Sequence, residues 1–139
     1  MKVFLDTNIL VNFITGREGV EQASEILQMC DEGKVELYAS ILTMINTAYV
    51  ARKGRTKENL REELLALSRM IHVLPMDESQ WQSALRQDAR DLEDALQYQC
   101  ALAAGCDCIV TRNRRDFDFA KAAVYTPQEF LAQAGGSAL

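Results

Sequence analysis

The chain contains one histidine, His72, among its 139 residues, and this scarcity excludes one class of mechanism. A single imidazole cannot provide both the acid and the base of a metal-free mechanism that pairs two histidines. The four cysteines, Cys30, Cys100, Cys106 and Cys108, show no Cys-x-x-Cys spacing, which also disfavours a structural zinc site. We interpret them as small core hydrophobes, with redox chemistry as the less favoured alternative.

Long apolar runs are lacking as well, since none approaches the roughly 20 residues that cross a bilayer. The apolar start runs from Val3 directly into Asp6, without the segments of a secretory signal. We therefore expect a soluble, cytoplasmic protein with no membrane association. The net charge of −5 argues against a general nucleic-acid coat. It does not exclude an enzyme in which divalent cations neutralise clustered carboxylates.

Strand-like and helical patterns alternate along the chain. Strands are predicted at residues 3–5, 35–39, 72–74, 106–111 and 124–125. Helices are predicted at residues 8–13, 20–30, 43–52, 57–70, from 77, at 91–104 and from 127. This order predicts an α/β fold with a mainly parallel sheet of four to five strands, covered by helices on both faces. The length fits one domain, which we place at residues 1–134, with a frayed tail at 135–139.

Polar side chains follow two of the predicted strands. Asp6 ends the first strand, and Thr111 ends a later one, with Asn113 and Asp116 just beyond it. Ligands of open α/β sheets bind at the carboxyl ends of strands, so these side chains are candidates for a common site. A structural cap of the next turn is the alternative for Asp6. We favour the site, because Thr7 can supply the cap.

A further acidic segment opens the helix at residues 91–104. Asp91 and Asp94 resemble a capping pair in the first helical turn, which is the structural alternative to a site. A core-facing stripe is predicted at four positions, Leu92, Leu96, Cys100 and Ala103. Asp94, Gln97 and Ala101 then lie on a different face, from which Asp94 can reach the rim of the sheet.

Three arginines, Arg112, Arg114 and Arg115, lie beside the last acidic segment. Planar guanidinium groups bind phosphate oxygens well, so these residues are candidates for contact with a nucleic-acid backbone. A solvated turn is the alternative for so short a basic run.

Taken together, these segments resemble the PIN-domain ribonucleases and, among bacteria, the VapC-type toxins. The resemblance covers nearly the whole chain. It rests on Val-Phe-Leu-Asp6-Thr-Asn8-Ile-Leu, Ser40-x-x-Thr43, Asp91-Leu-Glu-Asp94-Ala-Leu-Gln and Ile109-Val-Thr111-Arg-Asn113-x-x-Asp116-Phe117. It implies a three-layer α/β/α sandwich in which acidic residues hold Mg²⁺ or Mn²⁺ and water cleaves RNA. It also implies membership of a toxin–antitoxin pair, with an antitoxin protein as a partner.

The resemblance assigns Asp6, Asp94 and Asp116 as catalytic residues and metal ligands. Many family members carry a glutamate in the helix after strand two, and the matching residue here is Asn46. An amide oxygen can bind a hard cation but carries no negative charge, so metal attraction is reduced. Further support for the site is expected from Asn8, Glu93, Thr111 and Asn113.

Two alternatives to the nuclease stay open at this point. Because of Asn46, the chain is alternatively a catalytically weakened PIN-like module that binds RNA or protein. A phosphohydrolase with Asp6 as nucleophile is less favoured, because Asn8 and Leu10 replace the Asp and Thr of haloacid-dehalogenase-like enzymes. By analogy with the family we also expect a homodimer, with residues 43–70 supplying an apolar face.

Overall fold

The computed structural model describes the backbone of residues 1–137 and the side chains of residues 1–134. Within these residues five strands form one sheet: β1 (Lys2–Leu5), β2 (Glu36–Ser40), β3 (Ile71–Leu74), β4 (Cys108–Val110) and β5 (Ala123–Tyr125). Neighbouring strands are parallel, and their order across the sheet is β3-β2-β1-β4-β5. The predicted α/β fold with a parallel sheet is confirmed.

Helices connect the strands. They are α1 (Thr7–Thr15), α2 (Val20–Asp31), α3 (Ile41–Ala51), α4 (Lys57–Met70), α5 (Glu78–Leu85), α6 (Leu92–Ala103) and α7 (Pro127–Ser137). A 3₁₀ helix at Arg114–Phe117 was not predicted. Since α7 continues to Ser137, it includes the first part of the predicted tail, and residues 138–139 lie outside the described residues. No helix in the described part of the chain is both long and apolar enough to cross a membrane.

Alternate side chains of the strands enter two hydrophobic cores on opposite faces of the sheet. Val3 and Leu5 lie in the first core, together with residues of α1, α2, α3, α4 and α7. Phe4 lies in the second core with α6 and with Phe117 of the 3₁₀ helix. Burial of each such side chain contributes about 1.5–3 kcal/mol to the stability of the fold. Helices therefore cover both faces, which makes a three-layer α/β/α sandwich.

The core-facing stripe predicted for α6 is partly wrong. Leu92 is 42% exposed and Ala103 is also exposed, whereas Cys100 is buried as expected. The sheet-facing side is built instead from Ala95, Tyr98 and Ala101, because small residues allow α6 to approach the sheet closely. The stripe is therefore rotated about the helix axis relative to the leucine pattern.

The cysteines are free thiols, and Cys100 and Cys108 are buried. Burial raises the pKa of Cys100 and of Cys106 to about 11, and that of Cys108 to about 12. These three thiols stay protonated near neutral pH and are poor nucleophiles. Their placement fits the core role inferred from the sequence.

The strand order creates a crevice between β1 and β4. From β1 the chain adds β2 and β3 on one side, and then returns to add β4 and β5 on the other side. Such a reversal leaves the loops after the two central strands free to diverge, which is where open α/β sheets bind ligands. The residues that follow β1 and β4 are Asp6 and Thr111.

Candidate active site

Asp6 and Thr111 meet because of the register of the central strands. Leu5 pairs with Val110, so the next residue of each strand emerges beside the other. The Thr111 hydroxyl donates a hydrogen bond to Oδ2 of Asp6 at 2.8 Å. The other carboxylate oxygen, Oδ1, accepts from the backbone N–H of Thr7 at 2.8 Å. Asp6 therefore also caps α1, so its capping role and its place in the site coexist.

Asn8 joins the two loops that follow β1 and β4. Its Nδ2 lies 3.3 Å from Oδ2 of Asp6, and its Oδ1 accepts from the backbone N–H of Arg112 at 3.2 Å. The Thr111 hydroxyl accepts in turn from the backbone N–H of Asn113 at 3.1 Å. This set of short polar contacts fixes the direction of the Asp6 carboxylate.

The first turn of α6 brings two more carboxylates to the same edge. Oδ1 of Asp91 accepts from the backbone N–H groups of Glu93 at 2.8 Å and of Asp94 at 3.2 Å. The capping interpretation of this segment is thus confirmed for Asp91. Asp94 lies in the same first turn of the helix and is half-buried.

These elements enclose an acidic cleft of about 430 Å³. Five carboxylates line it, namely Asp6, Asp91, Glu93, Asp94 and Asp116. The 3₁₀ helix supplies Asp116, whose backbone N–H donates to the carbonyl oxygen of Asn113 at 2.9 Å. The remaining lining residues are Thr7, Asn8, Val11, Asn12, Arg17 and Asn113. The structure therefore brings the three predicted catalytic aspartates to one cleft.

Burial, and after it the crowding of like charges, raises the pKa of two carboxylates in this cleft. Burial raises the pKa of Asp6, and the hydrogen bonds from Thr111 and Thr7 partly offset that effect. Burial also raises the pKa of Asp94 to about 7, with further contributions from the charges of Asp6, Asp91, Asp116 and Glu93. The cleft is therefore short of positive charge, and a cation is the simplest neutralising partner.

Behind the cleft lies a buried polar network that links α1, β2, α3 and α6. Ser40 donates to Oε1 of Gln97 at 2.6 Å, and Nε2 of Gln97 donates to the Thr43 hydroxyl at 2.8 Å. The Thr43 hydroxyl also contacts that of Thr7 at 3.1 Å. Sequence reasoning singled out the phrase Ser40-x-x-Thr43 but missed its function, which is to connect Gln97 with the residue after Asp6.

Comparison with known proteins agrees with this geometry. The family described as PIN domain matches residues 2–115. The chain belongs to the PIN-domain family. It is similar to Ribonuclease VapC1 of Aquifex aeolicus (strain VF5), with 25% identity over 135 residues, which cover 93% of this chain and 92% of that protein.

Solved structures share the fold of this PIN domain. A toxin-antitoxin complex from Klebsiella pneumoniae gives a TM-score of 0.69 at 23% identity, covering 90% of this chain and 97% of that one. VapBC2 from Rickettsia felis, bound to a DNA fragment from its promoter, gives 0.68 at 16% identity, covering 90% and 97%. The three-layer arrangement predicted from the resemblance is therefore confirmed.

In this PIN domain Asn46 does not line the acidic cleft. It lies on α3, and its Nδ2 donates to Oε1 of Glu93 at 2.8 Å. The atom engaged is thus the amide nitrogen, not the carbonyl oxygen that would bind a cation. Asn46 therefore contacts a residue that lines the cleft, Glu93, without lining the cleft itself.

The arginines that follow β4 point away from the acidic cleft. Arg112 donates to the carbonyl oxygen of Glu18 at 2.8 Å, and Arg114 pairs with Glu129 at 2.6 Å. Arg114 and Arg115 line a separate cleft of about 700 Å³ beside β5 and α7. The arginine that lines the acidic cleft is Arg17, just after α1. Sequence reasoning missed Arg17, because a lone arginine after a glycine carries no distinctive pattern.

Direct metal coordination is not preassembled in the described residues. Within them, no three His, Cys, Asp or Glu side chains form a group that could hold a metal ion directly. The acidic cleft instead presents carboxylates from three separate elements around a shared space.

Proposed function

We propose that this PIN domain is a divalent-metal-dependent endoribonuclease that cuts RNA phosphodiester bonds with an activated water. The observation that supports this most is the meeting of Asp6, Asp94 and Asp116 in one cleft at the switch point of the sheet. Carboxylates at such a place suit phosphodiester chemistry, because bound cations can neutralise both the cluster and the phosphate. The similarity to Ribonuclease VapC1 supports the same reaction.

The donor set fits Mg²⁺ or Mn²⁺. Both prefer oxygen ligands, and Mg²⁺ in particular keeps several of its water molecules, so carboxylates too far apart for direct coordination can hold a hydrated ion. The raised pKa of Asp94 reflects burial and the surplus negative charge that such an ion would neutralise. Asp6, Asp94 and Asp116 would hold the ion, with Asn8 and Asn113 as polar support.

When bound, the ion would supply positive charge that lowers the pKa of a water and stabilises charge on the phosphate. The residues of the chain would do the rest. Thr111 and the Thr7 N–H keep the Asp6 carboxylate in one orientation, which avoids reorganisation during the reaction. One of the three aspartates would accept the proton of the attacking water.

RNA would approach over the arginines that border the two clefts. Arg17 lines the acidic cleft and is the nearest candidate for binding the scissile phosphate. The 3₁₀ helix lies between the two clefts, since Asp116 lines the acidic cleft and Arg114 and Arg115 line the larger one. An RNA strand that crosses the 3₁₀ helix would therefore contact both clefts. Arg112, whose guanidinium donates to the carbonyl oxygen of Glu18, lines a neighbouring cleft together with Arg17 and would add positive charge there.

A cleavage assay tests the proposal. A mixed RNA pool is incubated with Mn²⁺ or Mg²⁺ and with wild type, Asp6→Asn, Asp94→Asn or the control Asp88→Asn, which changes an exposed aspartate outside the cleft. Wild type and the control should cut, EDTA should stop cleavage, and the two cleft variants should be inactive. Equal cutting by wild type and Asp6→Asn would exclude this mechanism.

The same assay detects the weakened, non-catalytic alternative. A module that had lost turnover through Asn46 would retain RNA without cutting it, and Asn46→Glu would then gain activity. We expect no such gain, since Glu93 already places a carboxylate beside Asn46.

An antitoxin partner and a homodimer complete the proposal. The structural neighbours include a complex described as toxin-antitoxin, which supports a protein that neutralises this chain. Expression of the chain alone should then arrest bacterial growth, and Asp6→Asn should relieve the arrest.

The exposed face of α3 carries Ile41, Ile45 and Tyr49 beside an apolar groove of about 610 Å³, which supports a second copy docking there.

A further inference from the structure

The contact between Asn46 and Glu93 joins two residues 47 positions apart in the sequence. Asn46 is half-buried on α3, whereas Glu93 is exposed at the second position of α6. An exposed glutamate ordinarily samples several rotamers, and ordering its side chain costs conformational entropy. A hydrogen bond from an anchored amide offsets that cost and favours one direction of the carboxylate.

The position of Glu93 relates it to the rest of the cleft. It lines the acidic cleft together with Asp6, Asp94 and Asp116. Asn46, by contrast, is set back from the cleft and presents its donor nitrogen to Glu93.

We propose that Glu93 supplies the fourth carboxylate of the cation site, and that Asn46 is the positioning residue that holds it toward the cleft. This inference rests on the proposed metal-dependent function. Glu93, in the first turn of α6, thereby provides the negative charge that Asn46 on α3 does not carry. A glutamate at position 46 would face Glu93 and repel it, so an uncharged donor is the side chain suited to that position.

The test measures Mn²⁺ binding to the metal-free protein by calorimetry. Glu93→Gln removes the carboxylate and keeps the size of the side chain. Glu58→Gln is a matched control, because Glu58 is also exposed and also occupies the second position of a helix, α4, but lies outside the cleft. Asn46→Ala and the double variant complete a cycle that isolates the coupling between Asn46 and Glu93. Melting curves without metal confirm that each variant is folded.

Glu93→Gln should weaken Mn²⁺ binding about 10- to 100-fold, the range found for residues that tune a metal site, and Glu58→Gln should leave it unchanged. Asn46→Ala alone should weaken binding by about threefold, because the exposed hydrogen bond is a modest one. In the Glu93→Gln background the same change should have no further effect.

Equal affinity of Glu93→Gln and Glu58→Gln, with binding abolished in Asp94→Asn, would overturn the role of Glu93 and leave the proposed function intact. Independent, multiplying effects of Asn46→Ala and Glu93→Gln would overturn the positioning role of Asn46. Absence of Mn²⁺ binding by wild type would overturn this inference together with the proposed metal dependence.

Discussion

Ser40 donates a hydrogen bond of 2.6 Å to the amide oxygen of Gln97, and neither side chain is exposed to solvent. The bond connects the end of β2 to α6, one turn beyond Asp94. Because Gln97 also donates to Thr43, both ends of its amide are satisfied inside the protein. A fully satisfied buried network of this kind fixes the relative placement of the elements that it joins.

We predict that Gln97→Leu destabilises the protein by about 2–3 kcal/mol, since it removes the amide that both hydroxyls contact and leaves the Ser40 hydroxyl to donate over its longer contact of 3.3 Å with Thr43. Urea unfolding monitored by circular dichroism gives the free energy. Gln99→Leu is the matched control, because Gln99 lies on the same helix and donates to the half-buried Gln87, outside the buried network. Equal losses for the two variants would show that the network contributes no more than an ordinary surface contact.

A second prediction concerns the hydroxyl that orients Asp6. Thr111→Val preserves the shape of the side chain but removes the donor to Oδ2 of Asp6, so the pKa of Asp6 should rise further. We expect a loss of about 1–2 kcal/mol in stability. RNA cleavage should fall markedly, and Thr111→Ser should restore most of it. Unchanged cleavage by Thr111→Val would mean that Asp6 does not need this orientation.

The stability of the metal-free protein should depend on pH through Asp94. Its pKa is about 7 in the folded chain against an ordinary value of 3.8, so between these values the folded state binds more protons than the unfolded state. The contribution of Asp94 to the stability of the folded state is then fully present below about pH 4, and it is lost as the pH rises toward about 7. For a half-exposed group this amounts to about 1–2 kcal/mol.

Melting curves from pH 5 to pH 8 in EDTA measure this effect. Wild type should melt several degrees lower at the alkaline end, and Asp94→Asn should flatten the dependence. Excess Mn²⁺ should raise the melting temperature of wild type at pH 8 and have little effect on Asp94→Asn. A pH profile that is identical in wild type and Asp94→Asn would assign the effect to other groups.

Local sequence patterns predicted most of the fold, because strands and helix caps are determined by residues that are close together in the sequence. The alternation of Val3, Phe4 and Leu5 places neighbouring side chains on opposite faces of a strand, and the structure confirms this. The capping box of Asp77 and Gln80 also forms as expected, since it involves residues three apart.

Contacts that depend on packing could not be predicted in the same way. The bond between Asn46 and Glu93 requires α3 and α6 to lie side by side, which no local pattern encodes. The directions of Arg112 and Arg114 depend on Glu18 and Glu129, which come from distant segments. Sequence thus indicated which segments converge on the cleft and that Asp6, Asp94 and Asp116 lie in it, but not the directions of Asn46 and of the arginines.

Arg17 provides a prediction about substrate binding. It lines the acidic cleft, so Arg17→Ala should raise KM for RNA by about three- to tenfold, with a smaller effect on kcat, and should reduce the dependence of binding on salt. Arg61→Ala, which removes an exposed arginine of α4, is the control. Similar KM values for both variants would mean that Arg17 makes no special contact with the phosphate backbone.

The exposed face of α3 leads to a prediction about assembly. Ile45 is 63% exposed and Tyr49 is 66% exposed, one turn apart on the same side of the helix. If a second copy covers them, Ile45→Glu would bury an unpaired carboxylate at the interface, which costs several kcal/mol and should convert a dimer into a monomer. Leu102→Glu, which alters an exposed leucine of α6, should leave the dimer intact. Light scattering coupled to size-exclusion chromatography measures the mass of each variant. A wild-type chain that stays monomeric at every concentration would eliminate the dimer, and dissociation by Leu102→Glu alone would move the interface from α3 to α6.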